Sequence, residues 1–236
     1  MTDVSTTTPT LGLDSTLSQW VMQLPARSRI LEKYRIDYCC GGQATLRQVC
    51  TTHQLNADAV VAELLATPPD ATQRDWSTAS LSELADHIES THHAYLKDEL
   101  PRLSRLMHRT YTVHGLHYRW LPELKTTFDH FAAEMDAHMF KEEHILFPLI
   151  RAIDAGAHGT AVSQPIAIME QEHERAGADL KHMSQLSNNY TPPDEACTTS
   201  RALLDGLREL ELDTHIHVHK ENGILFPKAI AAADGR

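Results

Sequence analysis

His138-Met-Phe-Lys-Glu142-Glu-His-Ile-Leu-Phe-Pro148 is echoed later in the chain by His217-Val-His-Lys-Glu221-Asn-Gly-Ile-Leu-Phe-Pro227. Each copy sets a histidine four residues before a glutamate, so on a helix the imidazole and carboxylate lie on one face, a turn apart. Two copies of one phrase point to an internal repeat whose halves together build a metal site.

The pattern extends outward from these pairs. Leu121, Leu124, Phe128, Phe131 and Met135 lead into His138, Glu142, Ile145 and Leu149 at three-and-four spacing. Leu203, Leu207, Leu210 and Thr214 lead likewise into His217, Glu221 and Ile224. A third helical run carries Ile166, Met169, His173, Ala176, Leu180 and Met183. A fourth, less regular at its start, carries Ala85, His93, Leu96, Leu100, Leu103 and Met107. Ser80-Leu-Ser-Glu83 opens that fourth run as a capping box. These are the apolar seams of an all-α antiparallel four-helix bundle over residues 80–236.

Polar groups in such seams need a reason. An unpaired buried carboxylate costs on the order of several kcal/mol, and this core would hold two, together with four imidazoles. A shared cation removes the penalty. Glu142 and Glu221 lie 79 residues apart and His93 and His173 lie 80 apart, so the repeat is helix-with-His followed by helix-with-His-x-x-x-Glu, twice. Folding brings His93, His138, Glu142, His173, His217 and Glu221 to one level. Six ligands exceed a mononuclear zinc site but suit two first-row metals bridged by the carboxylates, with room for an oxo bridge, water or substrate. Imidazole with carboxylate favours iron, with manganese or zinc as alternatives. His92, His144, His182, His215 and His219 fall off the seam and read as solvated or supporting residues. His114, between two helices, is a candidate for a supporting role beside the site. The two Ile-Leu-Phe-Pro tails read as packing, with Ile145 and Ile224 continuing the core and each proline stopping or kinking its helix.

The 236 residues carry a net charge of −11, which argues against nucleic acid or anionic membrane as a partner. No apolar run approaches a membrane span. Cys39, Cys40, Cys50 and Cys197 are too few and too scattered for a disulfide framework, and a reduced cytoplasmic setting is expected. Residues 1–14 read as a disordered tail, 15–66 as a small helical unit whose last helix is capped by Asn56, and 67–79 as a linker. Within the small unit stands Asp37-Tyr-Cys39-Cys40-Gly-Gly42. Adjacent cysteines bridge each other only with strain, and two glycines allow close backbone approach or positive φ. A tight turn with two half-buried thiols, and thiolates that exchange disulfides or meet a partner, both fit these residues. Cys50 and Cys197 read as structural.

The Asp-Tyr-Cys-Cys-Gly-Gly motif followed by two His-x-x-x-Glu pairs resembles the repair of iron centres family (the YtfE/ScdA type). Asn188-Asn-Tyr-Thr-Pro-Pro193 with Ala196-Cys-Thr-Thr199 is similar to that family's linker between the third and fourth helices. The resemblance implies a hemerythrin-like bundle holding two irons, oxo-bridged and bridged by Glu142 and Glu221, with His93, His138, His173 and His217 as the remaining ligands. It also implies repair of iron–sulfur clusters damaged by nitric oxide or oxidants, with Cys39 and Cys40 docking or relaying to the client. Damaged iron–sulfur proteins and nitric oxide or oxygen are the expected partners, and a homodimer stays open. An oxygen or nitric oxide carrier or sensor, and an enzyme reducing nitric oxide to nitrous oxide, stay open as alternatives. Four seam histidines and two glutamates, in place of hemerythrin's fifth histidine and aspartate, weigh against simple oxygen carriage.

Overall fold

The computed structural model describes residues 11–39, 41–68, 74–157 and 161–235, and the chain divides into two compact units, Met1–Asp75 and Trp76–Arg236. The first holds α1 (Leu17–Gln23), α2 (Ser28–Lys33), α3 (Leu46–Thr52) and α4 (Ala57–Ala66). Thr16 and Thr45 cap α1 and α3 through reciprocal bonds with Gln19 and Gln48, and Asn56 Oδ1 accepts the Ala59 N–H at 3.1 Å. Leu17, Trp20, Leu31, Tyr38, Leu46 and Leu64 form the unit's core. Residues 1–10 of the expected tail lie outside the described residues. Leu11 and Leu13 pack against this core, and the Leu13 carbonyl accepts the Arg47 N–H at 2.8 Å.

The second unit is the bundle. Its four rods are antiparallel and are built from α5 (Leu81–Ile88) with α6 (Ala94–His114), α7 (Leu121–Lys141) with α8 (Phe147–Asp154), α9 (Ser163–Leu186), and α10 (Thr198–Lys220) with α11 (Phe226–Ala233). Ser80 and Glu83 close the capping box at the start of α5. Trp76 and Ala79, in the stretch read as linker, are held within the bundle: Trp76 stacks on His87 with centroids 3.9 Å apart, and Lys228 Nζ donates to the Ser77 and Ala79 carbonyls. Residues 69–73 of that stretch lie outside the described residues. Leu96, Leu100, Leu103, Phe128, Phe131 and Leu207 exemplify the core, which fills the bundle on one side of the histidine level. No helix among the described residues is long and apolar enough to cross a membrane.

Three rods do not run as uninterrupted α-helix. Each contains one π turn: Glu89–His93, Glu142–Leu146 and Glu221–Leu225. In the last two the Phe147 and Phe226 N–H groups reach back to the Glu142 and Glu221 carbonyls, five residues away. Pro148 and Pro227 lack an N–H and would press their rings on the carbonyls of residues 144 and 223 in a regular α-helix. The wider turn relieves this, so the rods continue past the prolines, which do not stop them. The extra residue per turn also rotates the helix downstream of it. Leu146, Phe147 and Ile150 are buried, whereas Ile145 is 52% exposed, so the expectation that Ile145 continues the core fails. Ile224 stays buried.

Candidate metal centre

Each π turn sits at a polar residue of the seam. His93 ends the first, and Glu142 and Glu221 begin the other two. Such insertions recur at functional sites because they re-aim one side chain without ending the helix. His138 lies on α7, His173 on α9 and His217 on α10. All six side chains are buried, with Glu142, Glu221, His93 and His217 at 0% exposure.

They assemble as two overlapping groups, His93, Glu142, His217 and Glu221, and His138, Glu142, His173 and Glu221, with one ligand atom from each residue within 4.8 Å of the other three. Both glutamates belong to both groups. Glu142 Oε2 lies 3.3 Å from His93 Nε2 and 3.3 Å from His138 Nε2. Glu221 lies 3.1 Å from His173 Nε2 and 3.0 Å from His217 Nε2. Each carboxylate thus spans one histidine of either group. Phe147 and Phe226 close the level from the far side, stacked on His93 and His173 with centroids 5.6 and 5.9 Å away.

The donor set fits a cation. Both oxygens of Glu142, Oε2 of Glu221 and Nε2 of His93 are buried with no hydrogen-bond partner among the described residues; the 3.3 Å approaches to Glu142 lack hydrogen-bond geometry. Such orphaned groups are costly unless an ion claims them. Burial works against every charge here, yet Glu142 and Glu172 overcome it at His138 and raise its imidazolium to about 10. His93 is raised for the same reason, with Glu142 outweighing desolvation. Desolvation and Glu221 push the Glu142 carboxyl up, but the histidines prevail and hold it below its usual range, while Glu221 sits well below. Without a cation, protons on imidazole neutralise the carboxylates; a divalent metal does the same work through the Nε2 lone pairs.

A further layer aims the rings. Glu143 Oε1 takes His93 Nδ1 at 2.8 Å and is itself held by Lys97. Glu172 takes His138 Nδ1 at 3.0 Å and pairs with Lys141. Asn222 Oδ1 takes His173 Nδ1 at 2.8 Å. Partners at Nδ1 fix the tautomer that presents Nε2 to a metal.

Residues 84–229 match the hemerythrin HHE cation binding domain family, and residues 13–67 match a domain of unknown function, DUF542. The iron-sulfur cluster repair protein YtfE of Escherichia coli O81 is 36% identical over 218 residues, covering 92% of this chain and 97% of the relative. Proteins of the same name from Citrobacter koseri and Escherichia fergusonii match to the same extent. This chain belongs to the repair of iron centres family.

Its remaining candidate residues are spread more widely. Cys39 is buried, with its N–H and thiol on Asp37 Oδ1 at 3.0 and 3.1 Å; Cys40 lies outside the described residues. A Cβ on Gly41 would meet the Asp37 carbonyl at 2.8 Å and one on Gly42 the Tyr38 carbonyl at 2.7 Å. Close approach, with no positive φ, is therefore what requires both glycines. His114 does not approach the metal level. It ends α6, about 30 Å along the helix from His93, and its Nε2 lies 3.3 Å from Cys197 Sγ. Cys197 is exposed at the N-cap of α10, where the Ser200 side chain and N–H, with His114, draw its thiol down to about 6. That differs from a structural cysteine.

His144 stacks on Phe140 and His182 pairs with Glu123, both at the surface. His92, by contrast, is buried against the centre. Glu143, Glu172 and Asn222 were not singled out from the sequence, although a signal existed: each directly neighbours a ligand in the chain.

Proposed function

We propose that this chain repairs iron–sulfur clusters damaged by nitric oxide or oxidative stress by supplying iron from a carboxylate-bridged pair held at His93, His138, Glu142, His173, His217 and Glu221. The observation that carries the reading is the reach of both glutamates across both groups. Glu142 and Glu221 would each hold both ions, so movement of either carboxylate would loosen the hold on both. Bound iron supplies the transferable ion and a redox-active partner for nitric oxide or oxygen.

The residues of the chain do the rest. Glu142 and Glu221 would balance the charge of the ions, the four imidazoles would offer them Nε2, and Glu143, Glu172 and Asn222 keep three of those rings aimed. Phe147 and Phe226 exclude water from the level. The Cys39–Cys40 pair serves the contact with the client protein, the buried Cys39 thiol having first to leave Asp37, in a compartment where thiols stay reduced, as in the cytoplasm. The relatives' name, iron-sulfur cluster repair protein, supports the same reading.

The test is recovery of a nitric-oxide-damaged cluster in a client protein by anaerobically iron-loaded chain. Recovery should consume iron from the chain and should drop when Cys39 and Cys40 are both changed to Ser. If the chain keeps its iron through repeated cycles of reversible gas binding while the client stays damaged, it is a carrier. If the Cys39/Cys40 variant repairs at the native rate, the thiols have no part in the transfer.

A further inference from the structure

The repeat that places the ligands is kept in the next layer out, except where it changes residue type. At the same 79-residue offset Glu143 corresponds to Asn222 and Lys141 to Lys220; at the 80-residue offset Glu172 corresponds to His92. In one half Lys141 steadies Glu172, and Glu172 holds His138 Nδ1. In the other half Lys220 Nζ lies 2.8 Å from His92 Nε2. His92 cannot pass the support on. Its Nδ1 is engaged by Asp213 at 2.8 Å, and its ring lies parallel to that of His217, at 2° with centroids 5.4 Å apart. Fully buried His217 is left with no hydrogen-bond partner at Nδ1 among the described residues.

Resting on the two-iron reading proposed for this centre, we infer that the two ions are unequal and that the one held by His93 and His217 leaves first, as the ion delivered to the client. Each group contains one ring backed by a carboxylate, His93 by Glu143 and His138 by Glu172. The comparison therefore turns on the other ring of each group. His173 is held by Asn222 at 2.8 Å. His217 has a stacked imidazole where an acceptor is needed, so neither its tautomer nor its orientation is fixed from behind. An imidazole without an outer partner is the less basic and less well-aimed ligand, and its buried N–H stays unsatisfied for as long as Nε2 binds the metal. Asymmetry of this kind lets one ion go while the second keeps the six side chains gathered for reloading.

The experiment follows iron release from the full chain, loaded anaerobically with two irons, into excess ferrous chelator by stopped-flow absorbance. The native chain should release in two phases of one iron each. His92→Glu places a carboxylate beside His217 with Lys220 in the part of Lys141, and should slow the fast phase by about tenfold while leaving the slow phase in place. Glu172→Gln should accelerate the slow phase alone. Release of both irons in one phase from the native chain overturns the inference, as does an unchanged fast phase in folded, two-iron His92→Glu. Should His92→Glu not fold, Glu172→Gln decides: acceleration confined to the slow phase supports the assignment, and a faster fast phase or no change overturns it. These phases are read without any client, so a failure of cluster recovery would count against the repair reading and leave the order of release standing.

Discussion

At the scale of single residues, the centre is a set of buried charges whose sign balance is arranged before metal arrives. In the metal-free chain protonation is favoured at His138, raised to about 10, and in the same direction at His93, where Glu142 outweighs burial. A metal must displace those protons to reach Nε2. Iron or zinc loading at pH 7 is therefore expected to release protons, and affinity should rise with pH toward 10. Calorimetric titration in two buffers of different ionisation enthalpy measures this; buffer-independent heats would contradict it. Elsewhere, Cys197, drawn down to about 6 by Ser200 and His114, should be the thiol that iodoacetamide labels first. Its labelling rate is expected to rise with a midpoint near pH 6 and to move upward in His114→Ala, read by peptide mass spectrometry. The clustering of the six candidate ligands was legible in the sequence because a carboxylate in an apolar seam demands a partner. Glu143, Glu172 and Asn222 were not, because a residue one step from the seam on a regular helix points about 100° away. Only the folded bundle shows that each of them reaches an imidazole on another rod.

At the scale of elements, the three π turns decide what periodicity can and cannot show. Counting at three-and-four spacing identifies the rods correctly through Glu142 in one and through Ile224 in the other, but in the former it then runs on to Ile145 and Leu149. The π turn at Glu142 puts Leu146 and Ile150 in their place. The irregular start of the first rod has the same origin, since Glu89–His93 is π-wound. The signal for two of the three turns was present in Pro148 and Pro227, whose clash with an α-helical carbonyl can be relieved by a wider turn as well as by a helix end. Replacing Pro227 by Ala restores an N–H and removes the ring, allowing the last rod to relax toward continuous α-helix and to swing Glu221 out of register with His217. We expect metal binding weakened by roughly tenfold, by analogy with loss of a supporting residue, at unchanged helix content. Metal titration alongside circular dichroism checks this, and native affinity in folded Pro227→Ala would show that the proline does not set the ligand.

At the scale of the whole molecule, the candidate residues fall in separate units: the Trp76–Arg236 bundle contains all six candidate ligands, and the Met1–Asp75 unit contains Cys39. Each has its own core, so residues 76–236 expressed alone should fold and bind metal with near-native stoichiometry while losing most of the capacity to restore a client cluster. Metal analysis and the cluster-recovery assay, run on that fragment, separate the two roles; full repair by the bundle alone would remove the small unit from the mechanism. The all-α architecture was readable from seam periodicity and the duplicated phrase, because both report burial along single helices. Which histidines group together was not, since that depends on which rods are neighbours, and only the folded bundle pairs His93 with His217 and His138 with His173. We propose that these six side chains gather around two bridged irons. Iron content and Mössbauer spectra of the full chain, purified without oxygen, test it most directly: two irons per chain with an antiferromagnetically coupled spectrum are predicted, and a single zinc or one isolated iron would contradict it.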